Sequence, residues 1–143
     1  MSKRFKELSH TIYECKYHIA ICPKYRFRIF KDEIAEYTKQ QIYILCHQKE
    51  LVEIMELNVR EDHIHLVMSI PPKYAVSAVM GFLKGKSAVR VHRSLLEERR
   101  LAGLHFWAPG YCVSTVGLDE RTIREYIRRQ EALETGQAEL DFK

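Results

Sequence analysis

The run LVEIMELNVREDHIHLVMSIPP, residues 51–72, constrains the fold most. Two strand-like segments, 51–59 and 63–70, are separated only by Arg60, Glu61 and Asp62. So short a turn leaves no room for a crossover, and the two strands must pair antiparallel. Pro71 and Pro72 lack the N–H that would continue the second strand. Upstream, YECKYHIAIC at 13–22 has partial strand alternation and ends at Pro23. Residues 32–50 read as a helix that Asp32 can cap, with Ile34, Tyr37, Ile42, Ile44 and Leu45 as its apolar stripe. Downstream, a long helix is expected over 74–100, with Gly81 and Gly85 as weak points. A fourth strand is expected in two pieces, 105–107 and 111–116, broken by Ala108, Pro109 and Gly110. Asp119 then caps a last helix to 134, and 134–143 reads as a loose tail. The order β-α-β-β-α-β plus a C-terminal helix predicts an α+β, ferredoxin-like (RRM-like) sandwich, with an antiparallel sheet and helices on one face. At 143 residues the chain reads as a single domain, 1–143.

Composition excludes several classes. Cys15, Cys22, Cys46 and Cys112 are scattered without a CxxC pair, which argues against a zinc ribbon or a disulfide scaffold. Reduced thiols in a cytoplasmic protein are the simpler reading. No apolar run approaches the ~20 residues of a membrane helix, and the start MSKRFKELSH lacks a signal segment, so no membrane partner is expected. The net charge of +4 is modest, but the basic residues cluster: in the first thirty-one residues, at Lys84, Lys86, Arg90 and Arg93, and at Arg121, Arg124, Arg128 and Arg129. Such clusters can line a phosphate-binding surface or be solvated helix faces. GFLKGKS, at 81–87, imitates a phosphate-binding loop but is one residue short and falls inside a predicted helix. No nucleotide cofactor is expected.

Alternate residues of a strand face the same way, so His63 and His65 share one face and Ile64 and Leu66 the other. Two neighbouring imidazoles can converge on a divalent cation, or can simply decorate a half-exposed strand. The last helix adds Tyr126 and Gln130, four apart and so on one helical face, with Arg124, Arg128 and Arg129 around them. Gln130 offers a carbonyl oxygen to a metal, and a tyrosine phenol can attack phosphorus. An amphipathic helix needing a buried side for Ile123, Ile127 and Leu133 is the plainer account of the same residues.

The segments HTIYECKYHIAICPKYR, REDHIHLVMSIPPK, FLKGKSAVRV, FWAPGYCVSTVG and TIREYIRRQ follow one another through nearly the whole chain. Together they resemble the single-tyrosine HUH transposases of the insertion sequence 200/605 family, in which HUH denotes His-hydrophobic-His. The resemblance implies Tyr126 as nucleophile and His63, His65 and Gln130 as holders of a divalent metal, Mg2+ or Mn2+. Glu61 and Asp62 would add a ligand or orient a histidine. It implies cleavage and rejoining of single-stranded DNA at element ends through a 5′-phosphotyrosine, with imperfect hairpins as the partner. It also implies a homodimer whose active sites are shared between subunits, with Gly117 as a hinge for the tyrosine helix. Lys24, Arg26, Arg28, Lys84, Lys86 and Arg90 are candidates for DNA backbone contacts, and Tyr25 and Phe27 for base stacking. Rival readings are a nicking or palindrome-processing relative, and a non-catalytic single-strand binder using Tyr13, Tyr17 and Trp107 as stacking platforms.

Overall fold

The computed structural model describes residues 4–24, 32–94 and 106–134. Tyr25, Arg26, Phe27 and Arg28, the first piece of the expected fourth strand apart from Phe106 and Trp107, and the tail beyond Glu134 lie outside them. The elements are β1 (Lys6–Leu8), β2 (Thr11–Tyr13), β3 (Lys16–Ile21), α1 (Asp32–His47), β4 (Glu53–Val59), β5 (Ile64–Ser69), α2 (Val76–Ser94), β6 (Cys112–Ser114) and α3 (Glu120–Glu134). The four-stranded sheet runs β4-β5-β3-β6 with every neighbouring pair antiparallel. This is the ferredoxin-like arrangement: each α-helical crossover joins two strands that a third one separates.

Two local departures have clear causes. The helix expected to 50 stops at His47, where Gln48 and Lys49 turn back onto Leu45 and Cys46. Leu51 then adopts φ 67°, a left-handed conformation that no strand residue takes, so β4 begins only at Glu53. At the N-terminus, a short β1–β2 hairpin was not foreseen from the sequence. Its strands have three residues each, too few for alternation to register, and its turn uses His10 at φ 61°. By contrast α2 passes through Gly81 and Gly85 without a break, so GFLKGKS is helical and cannot wrap a phosphate.

The sheet is covered on both faces. Ile19 and Ile21 of β3 and Ile64, Leu66 and Met68 of β5 point into the main core beneath α1 and α2. The opposite face carries Ala20, on which Ile123 and Ile127 of α3 pack with Leu118 and Tyr126. The expectation of helices on one face is corrected in that respect: α3 lies over the second face. Ala20 is fully buried and small, which lets the helix approach the backbone closely.

A bulge in β4 sets what stands beside the histidines. Ile54 pairs with Met68 and Glu56 with Val67, leaving Met55 as the extra residue. Without that insertion, Ile54 and Leu57 would face opposite sides of the sheet. With it, Ile54, Leu57 and Val59 all join the main core, while Asn58 comes opposite His65 on the α3 face. Among the described residues, no helix is long and apolar enough to cross a membrane. The four cysteines form no disulfide among the described residues, and burial pushes Cys46 up to about 11, where it is inert.

Candidate active site

His63 precedes β5 and His65 lies within it, and both line one cavity of about 640 Å³ between the β4–β5 turn and α3. Asn58, Arg60, Glu61 and Asp62 form the turn side, and Glu120, Ile123, Arg124 and Ile127 form the helix side. Nδ1 of His63 sits 2.9 Å from Oδ1 of Asp62. With Nδ1–H donating to that carboxylate, Nε2 of His63 is left as a lone-pair donor. Nε2 of His65 is buried without a hydrogen-bond partner among the described residues. Burial, and then the neighbouring His18, hold the His65 imidazole below its usual 6.5. The lowered pKa of His65 favours its neutral form, in which one ring nitrogen keeps its lone pair.

Tyr126 and Gln130 do not line this cavity. They occupy a stripe rotated by about 60° from Ile123 and Ile127 on the same helix, as 3.6 residues per turn requires. Nε2 of Gln130 donates to Pro109 O at 2.9 Å, while its Oε1 is buried with no hydrogen-bond partner among the described residues. The Tyr126 hydroxyl is also buried with no partner at hydrogen-bonding distance among the described residues, with Cys22, Cys112 and Gln130 as polar neighbours. Burial raises its pKa far above the ordinary 10.0. In this packing the phenol is a sealed, neutral group.

Several other predicted positions have defined surroundings. Lys84 Nζ donates to Ala108 O at 2.9 Å and Gly110 O at 2.7 Å, so it braces the loop to which Gln130 is tied. Its burial lowers its pKa. This ammonium is committed to the loop rather than displayed for a phosphate. Arg90 bonds Gln41 Oε1 at 2.8 Å, joining α2 to α1. Lys86 is exposed, and the Lys24 backbone N–H donates to Phe106 O. Gly117 is exposed between β6 and α3, in open space where a Cβ would meet nothing within 4 Å. Its neighbour Leu118 packs against the α3 cluster. Asp119 caps α3 through the Thr122 N–H at 2.7 Å, and that bond lowers the Asp119 pKa. At the cavity, Arg124 pairs with Glu120 at 2.6 Å, while Arg121 pairs with Glu125 at 3.2 Å outside it. Tyr13 and Trp107 are buried, Trp107 donating to Ser87 Oγ at 3.0 Å, so neither is a base-stacking platform.

One neighbour of the site was missed from the sequence. His18 of β3 stacks on His65, with ring centroids 5.9 Å apart and planes at 26°. It became visible only through the register that sets Ala20 opposite His65 and His18 opposite Val67.

The comparisons with known proteins agree with this architecture. The family described as "Transposase IS200 like" matches residues 11–130. The transposase for insertion sequence element IS200 of Salmonella typhimurium is 40% identical over 126 residues, covering 87% of this chain and 82% of that protein. The ISDra2 transposase TnpA of Deinococcus radiodurans is 33% identical over 121 residues, covering 83% and 86%. A crystal structure of a candidate transposase from Deinococcus radiodurans R1 superposes with a TM-score of 0.76 at 29% identity, over 87% of this chain and 97% of the other. A REP-associated tyrosine transposase bound to a REP hairpin has a TM-score of 0.53 at 13% identity, over 96% and 76%, a likeness of fold. Matched by the family over residues 11–130 and 40% identical to the Salmonella typhimurium protein over most of both chains, the chain belongs to the IS200-like transposase family.

Proposed function

We propose that this transposase cleaves and rejoins single-stranded DNA at the ends of its element, with Tyr126 as the nucleophile. The observation that carries the reading is the pair His63 and His65, side by side on a cavity roofed by the helix that bears the tyrosine. Tyr126 Oη forms a bond to the scissile phosphorus as the bond to the 3′ oxygen breaks. The phenol gives up its proton and the departing oxygen takes one up, leaving a 3′ hydroxyl and a DNA 5′ phosphotyrosine. Attack by a 3′ hydroxyl on that linkage reverses the bookkeeping and joins a new strand. The phosphodiester energy is kept throughout, so no nucleotide is required.

The donor set suits a divalent cation: Asp62 orients His63, and His65 keeps an unpartnered nitrogen. His63 and His65 would hold Mg2+ or Mn2+, with Gln130 Oε1 as a further oxygen donor once its helix moves. When bound, the cation supplies neutralisation of charge growing on the phosphate oxygens. Gln130 and Tyr126 are turned towards Pro109 and Cys22 in the single chain. Catalysis therefore needs α3 to leave Ala20, pivoting about Gly117, and a homodimer in which the helix completes the partner's site provides a destination. Imperfect hairpins at the element ends are the proposed DNA partner, and Lys86 is an exposed cation available to a backbone phosphate.

The test uses labelled single-stranded oligonucleotides from the element ends with Mg2+ or Mn2+. The expected result is a denaturant-resistant protein–DNA adduct that is lost in Tyr126→Phe. An adduct undiminished in that variant would remove Tyr126 from the chemistry.

A further inference from the structure

We propose that His18 is a positioning residue, stacking behind His65 to fix that ring for a divalent cation seated between His65 and His63. The inference rests on the reading of His63 and His65 as a cation site. Three observations place His18 behind the site rather than in it. Along β5 the residues facing α3 are His65 and Val67, preceded by His63 before the strand. The pairing His18↔Val67 puts His18 on the side of His65 away from His63. Consistently, His63 and His65 line the cavity and His18 does not.

The contact is of a kind that holds a ring. A centroid separation of 5.9 Å and a plane angle of 26° describe an offset stack. Nδ1 of His18 has no hydrogen-bond partner among the described residues, so the flat face is its main connection to His65. The two histidines have different supports. Asp62 holds His63 by a hydrogen bond, whereas Nε2 of His65 has no such tie. The stack limits rotation of the His65 ring about its terminal torsion, which is otherwise broad. Ordering a ligand before the cation arrives is what outer residues around metal sites do, and their loss commonly weakens binding by about 10–100-fold.

The test is Mn2+ binding to the full chain, followed by electron paramagnetic resonance of the free ion, with metal-free unfolding measured in parallel. His18→Ala should weaken Mn2+ binding about tenfold. His18→Phe keeps a flat ring without nitrogens and should bind within about twofold of the parent. If His18→Ala does not fold, His18→Leu replaces it under the same expectation, since it fills volume without a ring face. Unchanged binding without the ring overturns the proposal, and so does an equal loss in His18→Phe, which would make the imidazole nitrogen the active feature. His63→Ala separates the two levels. Loss of binding there with none in His18→Ala ends the positioning role alone. Unchanged binding in His63→Ala ends the cation site and the positioning role together.

Discussion

The Tyr126 hydroxyl is buried with no partner at hydrogen-bonding distance among the described residues, with Cys22, Cys112 and Gln130 as polar neighbours. A polar group so poorly paired lowers the stability of the packing that hides it. Tyr126→Phe should therefore raise the unfolding free energy, by about 1 kcal/mol, while removing the DNA adduct. Chemical denaturation of the two proteins measures this. His65 gives a second expectation. Its folded pKa lies below the unfolded value of 6.5, chiefly through burial and then through His18. The unfolded chain thus binds the extra proton first as pH falls. The contribution is complete above 6.5 and is lost on acidification through the lower folded value. Melting curves from pH 7.5 to 5 should show a smaller loss of stability in His65→Gln than in the parent.

At the level of elements, β4 is decided by one inserted residue. Met55 is half exposed, and truncating it to alanine should change stability by less than about 0.5 kcal/mol. Deleting it should be severe, because either Ile54 or the pair Leu57 and Val59 must then leave the core face. Loss of a cooperative melting transition in the deletion, with a parent-like transition in Met55→Ala, is the expected contrast. The hairpin containing β4 and β5 was legible because a three-residue turn permits only antiparallel pairing. The bulge was not, since EIMELNV shows no clean alternation by which to locate it. α3 was legible from its Asp119 cap and its Ile123–Ile127 stripe. The tie of Lys84 to the 108–110 loop was not legible, because nothing in a helical lysine announces two carbonyls 24 and 26 residues along the chain.

For the whole molecule, the docked α3 keeps Tyr126 out of the cavity that His63 and His65 line, so the proposed chemistry requires that helix to move. If it serves the partner subunit, mixing Tyr126→Phe with His65→Ala chains should restore an adduct that neither forms alone. The adduct should form on the chain that retains the tyrosine. Absence of restoration, with exchange of subunits verified, would place the tyrosine and its histidines in one chain.

The sequence by itself determined the order of the four main-sheet strands and the three helices, the shared face of His63 and His65, and the family resemblance, because these depend on periodicity, short turns and local motifs. Only the tertiary structure decided that α3 covers the sheet's second face, that Tyr126 and Gln130 point away from the cavity, and that His18 backs His65. Those facts depend on register, on the bulge at Met55 and on how a helix rotates over Ala20. Such relations join residues distant in the chain, and local patterns do not encode them.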